Sequence, residues 1–171
     1  MTTTVIKEFS SCSPAGLYAL FKDVYSSSDG MSENLEDKYP DLASLERDMT
    51  VLLNLPDAIA LAAEIDNKLV AYLTIRPRPQ SRLRHTADLN MGVAHEFRGH
   101  GLGRGILQAG LDRARAAPGL EIVYLMVRAD NTPAIHLYQQ AGFDTLTVLH
   151  RDTKVCGSYF DGILMRKFVD T

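Results

Sequence analysis

Tryptophan is missing from this 171-residue chain, and cysteine appears only as Cys12 and Cys156. Two distant cysteines with no Cys-x-x-Cys pair offer neither a disulfide framework nor a zinc knuckle. They point to a soluble protein of a reducing cytoplasm. Basic residues are not in excess, since 18 Lys and Arg stand against 21 Asp and Glu for a formal net charge of −3. That balance excludes a nucleic-acid or membrane-surface binder driven by bulk charge. No apolar run approaches the roughly 18 residues of a membrane span, and the N-terminus lacks the basic-then-apolar order of a secretory signal. His85, His95, His100, His136 and His150 show neither His-x-x-x-His nor His-Glu-x-x-His spacing, so no metal is expected.

What is present is globular composition, 46% apolar and 23% charged, enough for one domain over residues 1–171. Residues 2–9 alternate weakly with β-branched side chains and read as a strand. Ser13 and Pro14 supply an N-cap and a first-turn proline for a helix to about Tyr25, with Leu17, Leu20, Phe21 and Val24 as its apolar stripe. Residues 26–41 are polar, either a long loop or a loosely packed helical turn, and a second helix over 42–55 is stopped by Pro56. Residues 58–65 and 68–75 flank Asp66-Asn67, a hairpin signal. With two prolines and four arginines, residues 76–84 are expected to be irregular.

Residues 86–93 alternate Ala87, Leu89, Met91 and Val93 against Asp88, Asn90 and Gly92, a strand with one face in a core. Soon after comes Arg98-Gly99-His100-Gly101-Leu102-Gly103, then Arg104 and an amphipathic helix that Pro118-Gly119 ends. Alternate glycines let successive amides converge on an anion at a helix N-terminus, so this is a phosphate cradle. The spacing fits neither the Rossmann fingerprint nor a P-loop. A second motif, Asn131-Thr132-Pro133-Ala134-Ile135-His136-Leu137-Tyr138-Gln139-Gln140-Ala141-Gly142-Phe143, follows an apolar strand at 122–127. Thr132 is its expected N-cap, Ala134, Leu137, Tyr138 and Ala141 share one face, and Gly142 closes it. Residues 145–154 and 158–168 complete the pattern as a strand pair, giving a mixed sheet with helices on both faces.

The R-x-x-G-x-G run resembles the acyl-CoA pyrophosphate loop of the GNAT superfamily of N-acetyltransferases. Residues 131–143 match that family's N-x-x-A-x-x-L-Y-x-x-x-G-F element at every fixed position, in the family's order and separation. The resemblance covers roughly residues 86–167. It implies an α/β (α+β) fold with a mixed, mostly antiparallel central sheet, helices on both faces and a splayed central parallel strand pair. It also implies acetyl-CoA as co-substrate, its pyrophosphate on the amides of Gly99, His100, Gly101, Leu102, Gly103 and Arg104, with the Arg98 and Arg104 side chains nearby. The pantetheine arm would run along the backbone of Met91, Gly92 and Val93, with Asn131 as a polar contact. Tyr138 corresponds to the family's acid, which protonates the departing thiolate.

A base is harder to find. The family's usual positions for one hold Ala87, Leu89 and Met126, none of which accepts a proton. Residues 125–131 otherwise look like the ribosomal-protein alanine acetyltransferases, so the missing Glu at Met126 separates this chain from their mechanism. Asp88 is the candidate base, although a regular strand puts it on the wrong face. Glu64, His150, a water chain or an amine of low pKa are the other options. The run Tyr159-Phe160-Asp161-Gly162-Ile163-Leu164-Met165 resembles the end of GNAT proteins that acetylate small amines and pair as homodimers. The expected activity is acetyl transfer from acetyl-CoA to a primary amine, such as that of an amino acid, by direct attack. A silent acyl-CoA-binding domain and a protein N-terminal or lysine acetyltransferase are the alternatives.

Overall fold

The computed structural model describes residues 3–170, so Thr2, the expected start of the first strand, lies outside the described residues. Seven strands, β1 (Val5–Glu8), β2 (Ile59–Ile65), β3 (Lys68–Pro77), β4 (Thr86–Val93), β5 (Ile122–Arg128), β6 (Asp144–Val155) and β7 (Ser158–Phe168), form one sheet in the order β1-β2-β3-β4-β5-β7-β6. Every neighbouring pair is antiparallel except β4 with β5. On one face lie α1 (Pro14–Ser26), a single turn α2 (Leu35–Lys38) and α3 (Leu42–Asn54). On the other lie α4 (Leu102–Ala116) and α5 (Thr132–Gln140).

The local signals explain most of these elements. Ser13 caps α1 by accepting from the Gly16 amide, and the four stripe residues of that helix are all buried. Asp41 closes a capping box with Ser44 at the start of α3. Asp66 and Asn67 both adopt positive φ, 48° and 62°, the left-handed pair of a tight hairpin turn. Two apolar cores result. Leu73, Ile75, Leu89 and Val123 of the sheet pack with Leu107 of α4, while Tyr72 on the opposite face packs with Leu17 and Phe21 of α1 and Leu45 of α3. At Gly110 the α4 backbone comes so close to β3 that a Cβ would stand 2.5 Å from Leu73 Cδ2.

Two local expectations are corrected. Arg76 and Pro77 continue β3 instead of breaking it. The Arg78 amide donates to Thr86 across the β4 side, so the missing N–H of Pro77 falls on the β2 side, beyond the end of that strand. The N-cap of α5 is Asn131, whose side chain accepts from the Ala134 amide at 3.3 Å, which makes Thr132 the first helical residue. The segment 26–41 resolves its two options into loop with one helical turn. Among the described residues no helix is long and apolar enough to cross a membrane.

Candidate active site

β4 and β5 pair only at Thr86↔Ile122, Ala87↔Val123 and Asp88↔Tyr124, and then part. β4 stays bonded to β3 as far as Val93, and β5 stays bonded to β7 as far as Arg128. The β5-facing backbone of β4 beyond Asp88 is thus left without a strand partner, which is where Met91, Gly92 and Val93 lie. Gly92 is required by a close approach, since a Cβ there would be 2.6 Å from Val24 Cγ1 and 2.8 Å from Tyr72 Cε1.

Beyond the splay, a one-turn 3-10 segment (His95–Phe97) leads into the cradle. Gly99 and Gly101 have φ of 77° and 81°, with nothing within 4 Å of where a Cβ would be. The first amide bonded to the turn below is that of Gly105, which donates to the Gly101 carbonyl at 3.1 Å. Among the described residues no acceptor serves the amides of Gly99, His100, Gly101, Leu102, Gly103 or Arg104, and α4 has no acid in its first turn. Six free donors at the positive end of a fifteen-residue helix fit a pyrophosphate. Arg104 is exposed and makes no ion pair among the described residues, whereas Arg98 is a clasp. Its Nε donates to Val93 O at 3.0 Å, and its Nη1 and Nη2 donate to Ser27 O and Oγ at 3.1 and 2.8 Å.

Tyr138 on α5 is 9% exposed, and its ring meets Phe143 edge-on at 5.8 Å. Burial pushes its phenol up to about 12. It lines a cavity of about 510 Å³ together with Met91, Leu125, Met126 and Asn131, which opens across the sheet toward α3. The Asn131 oxygen is engaged by the helix cap, while its amide nitrogen has no acceptor among the described residues.

The model of the acetyltransferase (GNAT) family matches residues 17–143 of this sequence. The chain belongs to the GNAT family. An N-alpha-acetyltransferase of Sulfurisphaera tokodaii is 34% identical over 103 residues, which cover 54% of this chain and 60% of that relative. An L-amino acid N-acetyltransferase of Escherichia coli is 26% identical over 116 residues, 68% of this chain and 72% of the relative. The structure of yncA from Salmonella typhimurium, solved with its cofactor acetyl-CoA, shares the fold with a TM-score of 0.83 at 20% identity, covering 98% of this chain and 94% of that one. The chain therefore spans less than two thirds of the first relative's length, and GNAT homologues bind acetyl-CoA.

The acceptor side of this GNAT fold corrects the face assigned to Asp88. Ala87 and Leu89 turn to the α4 core, whereas Asp88 and Asn90 turn to the cavity, on the same face as Tyr124 and Met126. Both Asp88 oxygens are occupied by Arg78, at 2.7 and 3.1 Å. Glu64 pairs with Lys7 and lies outside this cavity, and the exposed His150 bonds to Asp161, so neither reaches the site. Sequence reasoning missed the cluster at the cavity floor. There Tyr39 donates to Asp48 at 2.6 Å, Arg76 grips both Asp48 oxygens at 2.7 and 2.8 Å, and Tyr72 donates to Asn90 at 3.1 Å. Burial, with Asp48 second, drives the Tyr39 phenol far above its ordinary range. The only local sign was the arginine-rich segment, because Asp48 is an unremarked acid on a helix 28 residues away from Arg76.

Proposed function

We propose that this chain, as one domain, is an acetyl-CoA-dependent N-acetyltransferase of the reducing cytoplasm. Its acceptor is the primary amine of a small molecule such as an amino acid, which attacks directly in a ternary complex. The observation that carries the proposal is the combination of three features: the splay of β4 from β5, the free amides at the head of α4, and Tyr138 lining the cavity with Met91 of β4 and Met126 of β5. Met91 and Val93 offer backbone N–H donors on the side away from β3, where an oxyanion develops as the amine nitrogen bonds to the thioester carbonyl carbon, while the intervening Gly92 pairs with Tyr72 of β3. Tyr138 hydrogen-bonds the sulfur as the C–S bond breaks. Asp88 would have to release Arg78 to take the amine proton, so that proton goes to water in the open cavity. A small acceptor suits a mouth carrying both signs of charge and agrees with the amino-acid specificity of the Escherichia coli relative. The N-alpha-acetyltransferase relative favours a peptide N-terminus as the second reading. A homodimer is included because β6 is an open sheet edge that exposes Leu146, Val148 and Leu149.

The test is free-thiol release from acetyl-CoA over amino acids, polyamines, aminoglycosides and short peptides. Release with amino acids supports the proposal, release only with peptides replaces its acceptor, and binding without release leaves a silent acyl-CoA domain. The pH profile follows from the proton route. An alkylammonium with a pKa near 10.4 is neutral to about one part in a thousand at pH 7.4. With water as base, kcat/KM should rise nearly tenfold per unit between about pH 6 and 8.5. Tyr138, protonated until about 12, imposes no alkaline fall in that window. A flat profile would rule out solvent deprotonation of an ordinary alkylammonium and leave either a side chain already ionised below about pH 6 or an acceptor amine of low pKa.

A further inference from the structure

We propose that Asp152, carried to the cavity by a bulge in β6, is the carboxylate that receives the cationic nitrogen of the acceptor. This rests on the acetyl-transfer function proposed above and names the side chain that selects the acceptor. The β6–β7 register runs from Leu149↔Gly162 directly to Thr153↔Phe160, so residues 150–152 stand opposite Asp161 alone. Arg151 turns the chain with a φ of 56°. Asp161 pins the bulge, its carboxylate accepting the Arg151 amide at 2.9 Å and meeting His150 Nδ1 at 3.0 Å. The cations on either side of Asp152 are turned elsewhere, since Arg151 and Lys154 both lie over the Tyr159 ring, at 5.1 and 5.0 Å.

The bulge lays the Asp152 carboxylate over Gly162. A Cβ on Gly162 would sit 2.6 Å from Asp152 Oδ2 and 3.0 Å from Met126 Sδ. The φ of Gly162 is not positive, so its lack of a side chain serves to admit the carboxylate rather than to permit a turn. A carboxylate therefore arrives beside Met126 from another strand, although position 126 itself carries none. Three carboxylates line the cavity. Asp48 is held by Arg76 and Tyr39, and Asp88 by Arg78, while Asp152 has no cation or hydrogen-bond donor among the described residues. Beside it, the buried Thr153 hydroxyl also lacks a partner among the described residues. An entering ammonium meets one exposed, unneutralised acid, which favours a cationic amine over a neutral or anionic acceptor.

Protein labelled with ¹³C at its methionine methyls, with the Met126 resonance assigned from Met126→Leu, is titrated with n-propylammonium chloride. n-Propanol serves as the neutral control. A saturable shift of the Met126 methyl is expected in the wild type and none in the isosteric Asp152→Asn. KM for the accepted amine should rise roughly tenfold or more with acetyl-CoA affinity unchanged. Equal shifts in both proteins, or none in the wild type, would overturn the assignment. An Asp152-dependent shift without thiol release on any amine would support the docking site and remove the transfer function. Turnover with an unchanged KM in Asp152→Asn would do the reverse.

Discussion

Tyr138→Phe is expected to lower kcat by about two orders of magnitude while leaving acetyl-CoA affinity and folding stability unchanged. The ring stays packed edge-on against Phe143. The hydroxyl makes no hydrogen bond within the described residues, so its removal breaks none. The size of the kinetic effect follows from the phenol's environment. Burial holds its pKa up to about 12, whereas an alkyl thiol lies near 8.5. Full transfer of the proton to the departing thiolate is uphill by about 3.5 units, on the order of 5 kcal/mol. In the proposed reaction the hydroxyl therefore serves chiefly as a hydrogen-bond donor to a sulfur that is becoming negative, a gain confined to the transition state. Loss of such a donor falls at the lower end of acid-catalytic effects, about 100-fold in kcat. Single-turnover thiol release, set beside acetyl-CoA titration, separates the two quantities. An unchanged kcat would take Tyr138 out of the chemistry.

Features written into consecutive residues were legible in the sequence. Ser13 before Pro14, Asp66-Asn67 between alternating runs, and glycines at alternate positions before an amphipathic helix each encode a local backbone geometry. The structure has that geometry at all three places. The family resemblance then placed the parallel pair and its splay, which no local pattern contains. What the sequence hid depends on partners far along the chain. Arg98 reads as a cation beside the pyrophosphate cradle, yet its donors reach Ser27, 71 residues away. Asp88 alternates with apolar neighbours, and period-2 patterning cannot say which face of a strand covered by helices on both sides meets the acceptor. Only the register against Tyr124 decides that. Asp152 is a still harder case, because its position depends on a bulge pinned by Asp161 on the neighbouring strand.

Gly101→Val is expected to weaken acetyl-CoA binding about 100-fold, close to 2.7 kcal/mol, with the folded chain retained. Gly101 has a φ of 81°, where a β-branched residue is strained by about 1–3 kcal/mol. Nothing lies within 4 Å of the new Cβ, so no clash with the core adds to that strain. The chain relieves the strain by moving the loop tip, which costs little stability because Gly99, His100 and Gly101 are exposed. It costs affinity because the six amides no longer converge on one anion. Gly105→Ala is the matched control. Its Cβ also enters open space, but Gly105 has no positive φ and lies inside α4, where alanine favours the helix by about 1 kcal/mol. Calorimetric titration with acetyl-CoA and urea midpoints should therefore move in opposite senses. Gly101→Val loses affinity and some stability, while Gly105→Ala keeps affinity and gains stability. Wild-type affinity in Gly101→Val would place the pyrophosphate elsewhere. Paired with the Tyr138→Phe result, these variants separate holding the donor from reacting it, because the first alters Kd at fixed chemistry and the second alters kcat at fixed Kd.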